Sequence, residues 1–167
     1  MRLPEFLRRR LNAGQRLAWY PPFRAMRIRV LMLSDDWRRV RILLPLRHNR
    51  NPGGSMFGGA VACLADPIAA LACNRAFPGH RVWTRDLHLD FVREGRSDLE
   101  MRFDLEPGHA REIQEELAAR GRATPEFAFG FFDTGGQECV RVRSRVAIRP
   151  GDYQPSHWAT DLSRGIE

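Results

Sequence analysis

The stretch Asn51-Pro52-Gly53-Gly54-Ser55-Met56-Phe57-Gly58-Gly59-Ala60-Val61-Ala62-Cys63-Leu64-Ala65-Asp66 decides how this chain is read. A glycine-rich turn runs into a segment of small and apolar residues that holds one carboxylate. Backbone N–H groups at a helix start have no partner inside the helix, and negative charge is stabilised there. Asp66 can activate water or act as a nucleophile. A backbone donor for a developing oxyanion and a group that activates water are two of the parts that acyl-transfer chemistry needs.

The helix is expected to run from about Met56 to Ala76, with Ser55 as its N-cap and Phe77-Pro78-Gly79 as its stop. Gly58, Gly59, Ala60, Ala62, Ala65, Ala69, Ala70 and Ala72 make it small on all sides, so a sheet or a second copy can approach closely. Asp66 lies eight residues after Gly58, about 12 Å along a straight helix. Reacting atoms must come within about 3–3.5 Å of each other. The Asp66 and Gly58 of one chain therefore cannot serve one carbonyl. If the chain is an acyl-transfer enzyme, a second copy must lay its helix antiparallel alongside, and the active unit is a two-fold dimer.

Pro67 follows the carboxylate. Inside a helix it removes one hydrogen bond, crowds the carbonyl of Cys63 and restricts Asp66. The alternative is that Asp66 caps a second helix opening at Pro67. Close packing alone is the alternative reading of Gly58 and Gly59. Thr84 opens the strand after the helix, where a hydroxyl can orient a water beside the carboxylate. Asn51 sits in the turn, where asparagine often only shapes the chain. His48 and Asn49 precede it. No Ser–His–Asp arrangement is readable. Cys63, without a basic neighbour, reads as a core thiol.

Outward from this segment, Leu3, Phe6, Leu7, Leu11, Gly14, Leu17 and Ala18 recur at helical spacing and predict an amphipathic helix over 1–20, ending before Pro21-Pro22. It packs on its own domain, or alternatively meets a membrane surface. Strands are expected over Ile28 to Leu33 and around Val40, Ile42 and Leu44, with Ser34-Asp35-Asp36 as the turn between them. After the central helix, Trp83, Leu87, Leu89 and Phe91 are expected on one strand face, with Thr84, Asp86, His88 and Asp90 opposite. Met101, Phe103 and Leu105 mark the next strand. A helix from His109 to Arg120, closed by Gly121, comes before an aromatic strand from Glu126 to Asp133. Thr134-Gly135-Gly136 is a hairpin turn into Val140, Val142, Val146 and Ile148, which alternate with arginines. The tail from Gly151 has no periodicity, and Tyr153 and Trp158 can anchor it. One long helix followed by a run of antiparallel strands predicts an α+β fold whose sheet wraps the helix. The main domain is expected over 21–150, with 151–167 as a tail.

The 167 residues suit one domain, and a hydrophobic fraction of 43% suits a globular fold. No apolar run approaches a membrane span. The basic start has no uncharged apolar segment behind it, so it does not read as a secretory signal. The cysteines are Cys63, Cys73 and Cys139, and the first two stand about 15 Å apart on one helix, too far to bridge. This predicts a reduced, cytoplasmic protein. The net charge is +7 and all 27 basic residues are arginine. A solvated arginine surface accounts for that charge, and attraction of a phosphate-bearing small molecule such as coenzyme A is the more specific reading. No zinc-ligand pairs or aromatic RNA-binding motif point to nucleic acid.

The pattern Asn51…Gly54-Ser55-Met56-Phe57-Gly58-Gly59…Leu64-Ala65-Asp66 resembles the signature of hotdog-fold acyl-CoA thioesterases. From Tyr20-Pro21-Pro22 through Asp66-Pro67 the chain is more specifically similar to the bacterial DUF4442 family, which is regarded as thioesterase-like. The resemblance covers roughly 20–150. It implies a hotdog fold with an extra N-terminal helix, a homodimer or dimer of dimers, an acyl thioester substrate, and no metal or cofactor. It further implies that the Gly58 N–H holds the thioester oxygen, that Asp66 of the other subunit is base or nucleophile, that Thr84 helps to hold the water, and that Asn51 matches the loop asparagine. Met56, Phe57, Gly59 and Trp83 are the expected substrate-binding residues. Phe57 departs from the pattern, since many relatives carry His there, and any polar role at that position is lost. A non-catalytic acyl-CoA or lipid-binding module on the same fold is the alternative function. A hydratase is less suited, because His48 is not at the expected place.

Overall fold

The computed structural model describes residues 12–154. Two short helices, α1 (Ala13–Ala18) and α2 (Pro21–Met26), come first. Strands β1 (Arg29–Leu33) and β2 (Arg39–Leu44) follow, then one 3-10 turn, Leu46–His48. The long helix α3 spans Gly58–Ala76 and leads into β3 (His80–Phe91) and β4 (Leu99–Asp104). Helix α4 (Pro107–Arg120) precedes the hairpin of β5 (Glu126–Phe132) and β6 (Glu138–Pro150).

The strands form one antiparallel sheet in the order β1-β2-β4-β5-β6-β3. Chain order and spatial order differ because α3 carries the chain from β2 across the sheet to its far edge. Alternation sets the buried face. Val40, Ile42 and Leu44 pair with Phe103, Met101 and Leu99, and all six are buried. Met101 continues to Phe131, and Phe131 to Val140. This face receives Val61, Leu64, Ala65, Ile68, Ala69 and Ala72 of α3, every one fully or nearly fully buried. Alanines at the contact let the helix lie close to the sheet. Helix α4 buries Ala110, Ile113 and Leu117 at helical spacing, and Gly121 ends it at φ 64.

Asn12 has an extended backbone and caps α1 through a reciprocal pair of hydrogen bonds with Gln15, so no single helix runs through it. The rest of the expected N-terminal helix, 1–11, lies outside the described residues, as does Trp158. The first helix ends at Ala18, before Pro21-Pro22 as expected, and the two prolines then open α2, because proline is preset for a first helical turn and needs no donor there. Tyr153 stacks on Trp83 at 5.7 Å, as an anchor for the tail would.

The faces of β3 differ from the expected ones. A register shift between Thr84 and Asp86 leaves Arg85 as an extra residue against β6. One inserted residue reverses every side chain beyond it. Thr84 therefore shares the helix-facing side with Leu87, Leu89 and Phe91, while Trp83 shares the outer side with Asp86, His88 and Asp90. The partners agree: Thr84 opposes buried Val146, and Asp86 opposes exposed Arg145, with which it forms an ion pair at 3.0 Å.

On β6, Ser144 is fully buried between Val142 and Val146, and its hydroxyl has no hydrogen-bond partner among the described residues. An unpaired buried hydroxyl is unfavourable by about 1–3 kcal/mol. Ser144→Ala is expected to leave stability unchanged or raise it by up to about 1 kcal/mol, as read from the midpoint of urea unfolding.

Candidate active site

Helix α3 is continuous from Gly58 to Ala76 with Pro67 in its interior. That removes the reading of Asp66 as the cap of a second helix. The sheet side of α3 is fully used. Its opposite side carries Gly59, Ala62, Cys63, Asp66, Ala70 and Asn74, all exposed or partly exposed. Asp66 thus stands in the open amid small neighbours. Cys63, expected in the core, is exposed on this same side, because the helix turns it away from the sheet. Burial, and secondarily the Asp66 charge, raises its pKa. Cys73 faces the core and burial pushes its thiol up to about 12, so it is inert at neutral pH.

The helix begins two residues later than expected. Its N-cap is Phe57, which offers no side-chain acceptor. Ser55 does not cap, because it is engaged with Asn51. The Asn51 amide donates to the Ser55 hydroxyl at 3.0 Å, and the Asn51 carbonyl oxygen accepts from the Ser55 N–H at 3.1 Å. Without a capping side chain, the N–H groups of Gly58 and Gly59 find no acceptor among the described residues. They remain available to an anion or a developing oxyanion.

Thr84 reaches α3. Its hydroxyl donates to the main-chain carbonyl of Asp66 at 2.6 Å. The bulge at Arg85 makes this contact possible by turning Thr84 inward. Thr84 therefore fixes the backbone that bears the carboxylate, just where Pro67 has removed a helical hydrogen bond. The hydroxyl oxygen keeps acceptor capacity for a water.

The remaining candidates divide by position. Gly58 and Met56 line a cleft at the start of α3, together with Asn51 and Ser55. Phe57 is exposed beside it and folds back over Gly59, where a Cβ would collide with its ring. Trp83 is not brought to this place. It lies on the outer face of the sheet, stacked on Tyr153, with the Arg149 guanidinium 5.9 Å from its ring centre. The outer arginines are mostly engaged. Arg149 donates to Ala123, Ile148 and Thr124, Arg141 pairs with Glu138, and Arg145 pairs with Asp86. Among the described residues, no three His, Cys, Asp or Glu side chains converge as metal ligands, and no helix is long and apolar enough to cross a membrane.

Sequence reasoning passed over Asn49. Its side chain is buried and donates to the carbonyls of Met26 and Pro45, each at 2.8 Å. Its own carbonyl accepts from the Phe57 N–H at 2.7 Å. One residue thus ties α2, the 3-10 turn and the start of α3 together. Only its place beside the glycine-rich turn marked it in the sequence. Asn49→Ala takes the donor from one buried and one partly buried carbonyl and is expected to destabilise by about 1–3 kcal/mol, as measured by urea unfolding.

No curated protein matches the sequence. The backbone is similar to PA5026 from Pseudomonas aeruginosa, a protein of unknown function described as a probable thioesterase, with TM-score 0.72 and 23% identity over 90% of this chain and 98% of that one. It is also similar to thioesterase HI1161 from Haemophilus influenzae, with TM-score 0.64 and 14% identity over 86% and 94% of the two chains. The Escherichia coli PaaI protein of the phenylacetic acid degradation operon aligns with TM-score 0.59 and 17% identity over 81% and 89%. At these identities the likeness establishes the hotdog fold, a curved antiparallel sheet around a long helix. The family model for DUF4442, a domain of unknown function, matches residues 10–148. That match spans most of the sequence, and the chain belongs to the DUF4442 family.

Proposed function

We propose that the protein hydrolyses an acyl thioester, with acyl-CoA as its substrate. The observation that carries this reading is α3 itself, where the uncapped Gly58 N–H and the exposed Asp66 carboxylate stand eight residues apart, about 12 Å of helical rise. Among the described residues neither group has a partner, and a second copy would supply one for each. In a two-fold dimer with antiparallel α3 helices, the Gly58 N–H of one subunit polarises the thioester carbonyl. Asp66 of the other takes a proton from the attacking water. The tetrahedral oxyanion collapses, the C–S bond breaks, and Asp66 returns the proton to the departing thiolate, which leaves the carboxylic acid and the thiol. Thr84 holds the Asp66 backbone and offers its oxygen to the water. The small outward residues of α3 let two helices meet, and β3 is a long edge strand beside them that a second copy can extend. Solved proteins described as thioesterases share this fold, which supports the reading.

The test is a panel of acyl-CoAs assayed by thiol release. Hydrolysis of at least one substrate is expected. Binding without product would favour the second reading, a non-catalytic acyl-CoA-binding module. Phe57, exposed and without hydrogen-bonding capacity, favours that reading. Thermal-shift titration with a non-hydrolysable analogue separates binding from turnover.

A further inference from the structure

Among the described residues, seven large hydrophobic side chains are exposed, and three of them gather around Gly58. Phe57, at 55% exposure, precedes it in sequence. Phe91, at 53%, is the last residue of β3, and Val92, at 41%, follows it. The Phe91 ring lies against Gly58 where a side chain would stand: a Cβ there would be 3.1 Å from its Cζ and 3.5 Å from its Cε1. Glycine at position 58 thus does more than free the backbone; it seats this ring.

Behind the ring opens a cleft of about 490 Å³. Its floor is apolar, made by Met56, Val61, Leu99 and Val140, each buried. Its charged residues, Arg93 and Glu94, are exposed, and the Arg93 guanidinium is hydrogen-bonded to Gln137. The backbone around the floor is fixed, since the Met56 N–H donates to the Gly95 carbonyl at 2.8 Å. Arg93, Glu94, Asn51 and Ser55 are the polar side chains of the lining, and the apolar floor accepts an aliphatic chain. Gly58 touches both the ring and the cleft, so a carbonyl held at its N–H directs its acyl chain past Phe91.

We propose that Phe91 sets the acyl-chain preference of this site, as a hinged cover over an apolar cleft that takes straight-chain aliphatic acyl groups. The inference rests on the thioester reading for its substrate, but it can be tested by binding alone. The ring is half exposed and makes no polar contact, so a chain that fills the cleft swings it outward, while a chain too short to reach the floor leaves it closed.

Wild type, Phe91→Ala and Phe91→Leu are titrated by calorimetry with non-hydrolysable S-butyl, S-octyl and S-dodecyl thioethers of CoA. The matching acyl-CoAs are assayed for kcat/KM. Phe91 is half exposed in the single chain, so both variants are expected to fold, and their Tm and dimer content are compared with wild type. Wild type should discriminate among the three lengths, and Phe91→Ala should change the dodecyl-to-butyl affinity ratio by about tenfold or more, with Phe91→Leu in between. An unchanged ratio in Phe91→Ala, or a wild type indifferent to length, overturns the inference even if hydrolysis is robust. A changed ratio with no hydrolysis of any acyl-CoA upholds it and removes the hydrolytic reading. No binding and no hydrolysis overturns both.

Discussion

Replacement of Asp66 by asparagine is expected to lower kcat for acyl-CoA hydrolysis by about 100- to 10,000-fold, the range that a positioned general base contributes. Asparagine keeps the size and shape of the side chain and loses only the proton acceptor. The substitution should not disturb the fold, for three reasons. Asp66 is exposed, makes no side-chain hydrogen bond among the described residues, and is held through its main-chain carbonyl by Thr84. Tm should therefore match wild type. Binding of an S-alkyl thioether of CoA should also persist, so the loss appears in kcat and not in KM. Equal thiol release by wild type and Asp66→Asn would end the case for this carboxylate as the base.

A second substitution tests whether two chains share each site. Gly58→Pro removes the N–H that is proposed to hold the oxyanion, and the loss expected for one such donor is about 100- to 1000-fold. Proline is tolerated at the first position of a helix, and Phe57 before it is already extended, at φ −68 and ψ 120. Its ring displaces Phe91, so Gly58→Ala serves as the control that moves Phe91 while keeping the donor. Neither Gly58→Pro nor Asp66→Asn should be active alone. Mixed and re-paired, they should recover about a quarter of wild-type activity. Random pairing makes half the dimers mixed, and each mixed dimer holds one site with both an intact Gly58 and an intact Asp66. If each site drew both groups from a single chain, mixing would restore nothing.

Much of the fold was legible because it is dictated locally. The alternation of Val40, Ile42 and Leu44, and of Val140, Val142, Val146 and Ile148, matches the two-residue period of a half-buried strand. Gly121 at φ 64 and Gly136 at φ 77 occupy left-handed positions that glycine adopts without strain, so the ends of α4 and of the β5–β6 turn could be read directly. The small-residue composition of α3 announced a helix made for close approach. Its eight-residue spacing from Gly58 to Asp66 is a matter of helix geometry, independent of what surrounds it.

What local rules could not reach was decided by pairing across the sheet and by competition for hydrogen bonds. Nothing in Thr84-Arg85-Asp86 announces a bulge. It exists only against β6, and it reverses the faces of Trp83 and Thr84, sending one to the outer surface and the other to Asp66. Ser55 is a good capping residue by type, but Asn51 engages it first and leaves Gly58 and Gly59 uncapped. Cys63, expected in the core, is exposed, and Asn49 is buried, because burial depends on which side of an element meets a neighbour. The sequence by itself determined the elements, the helix that carries the carboxylate and the distance between acid and donor. Only the tertiary structure decided which side chains share a face and which backbone groups are left free, because those outcomes depend on partners distant in the chain.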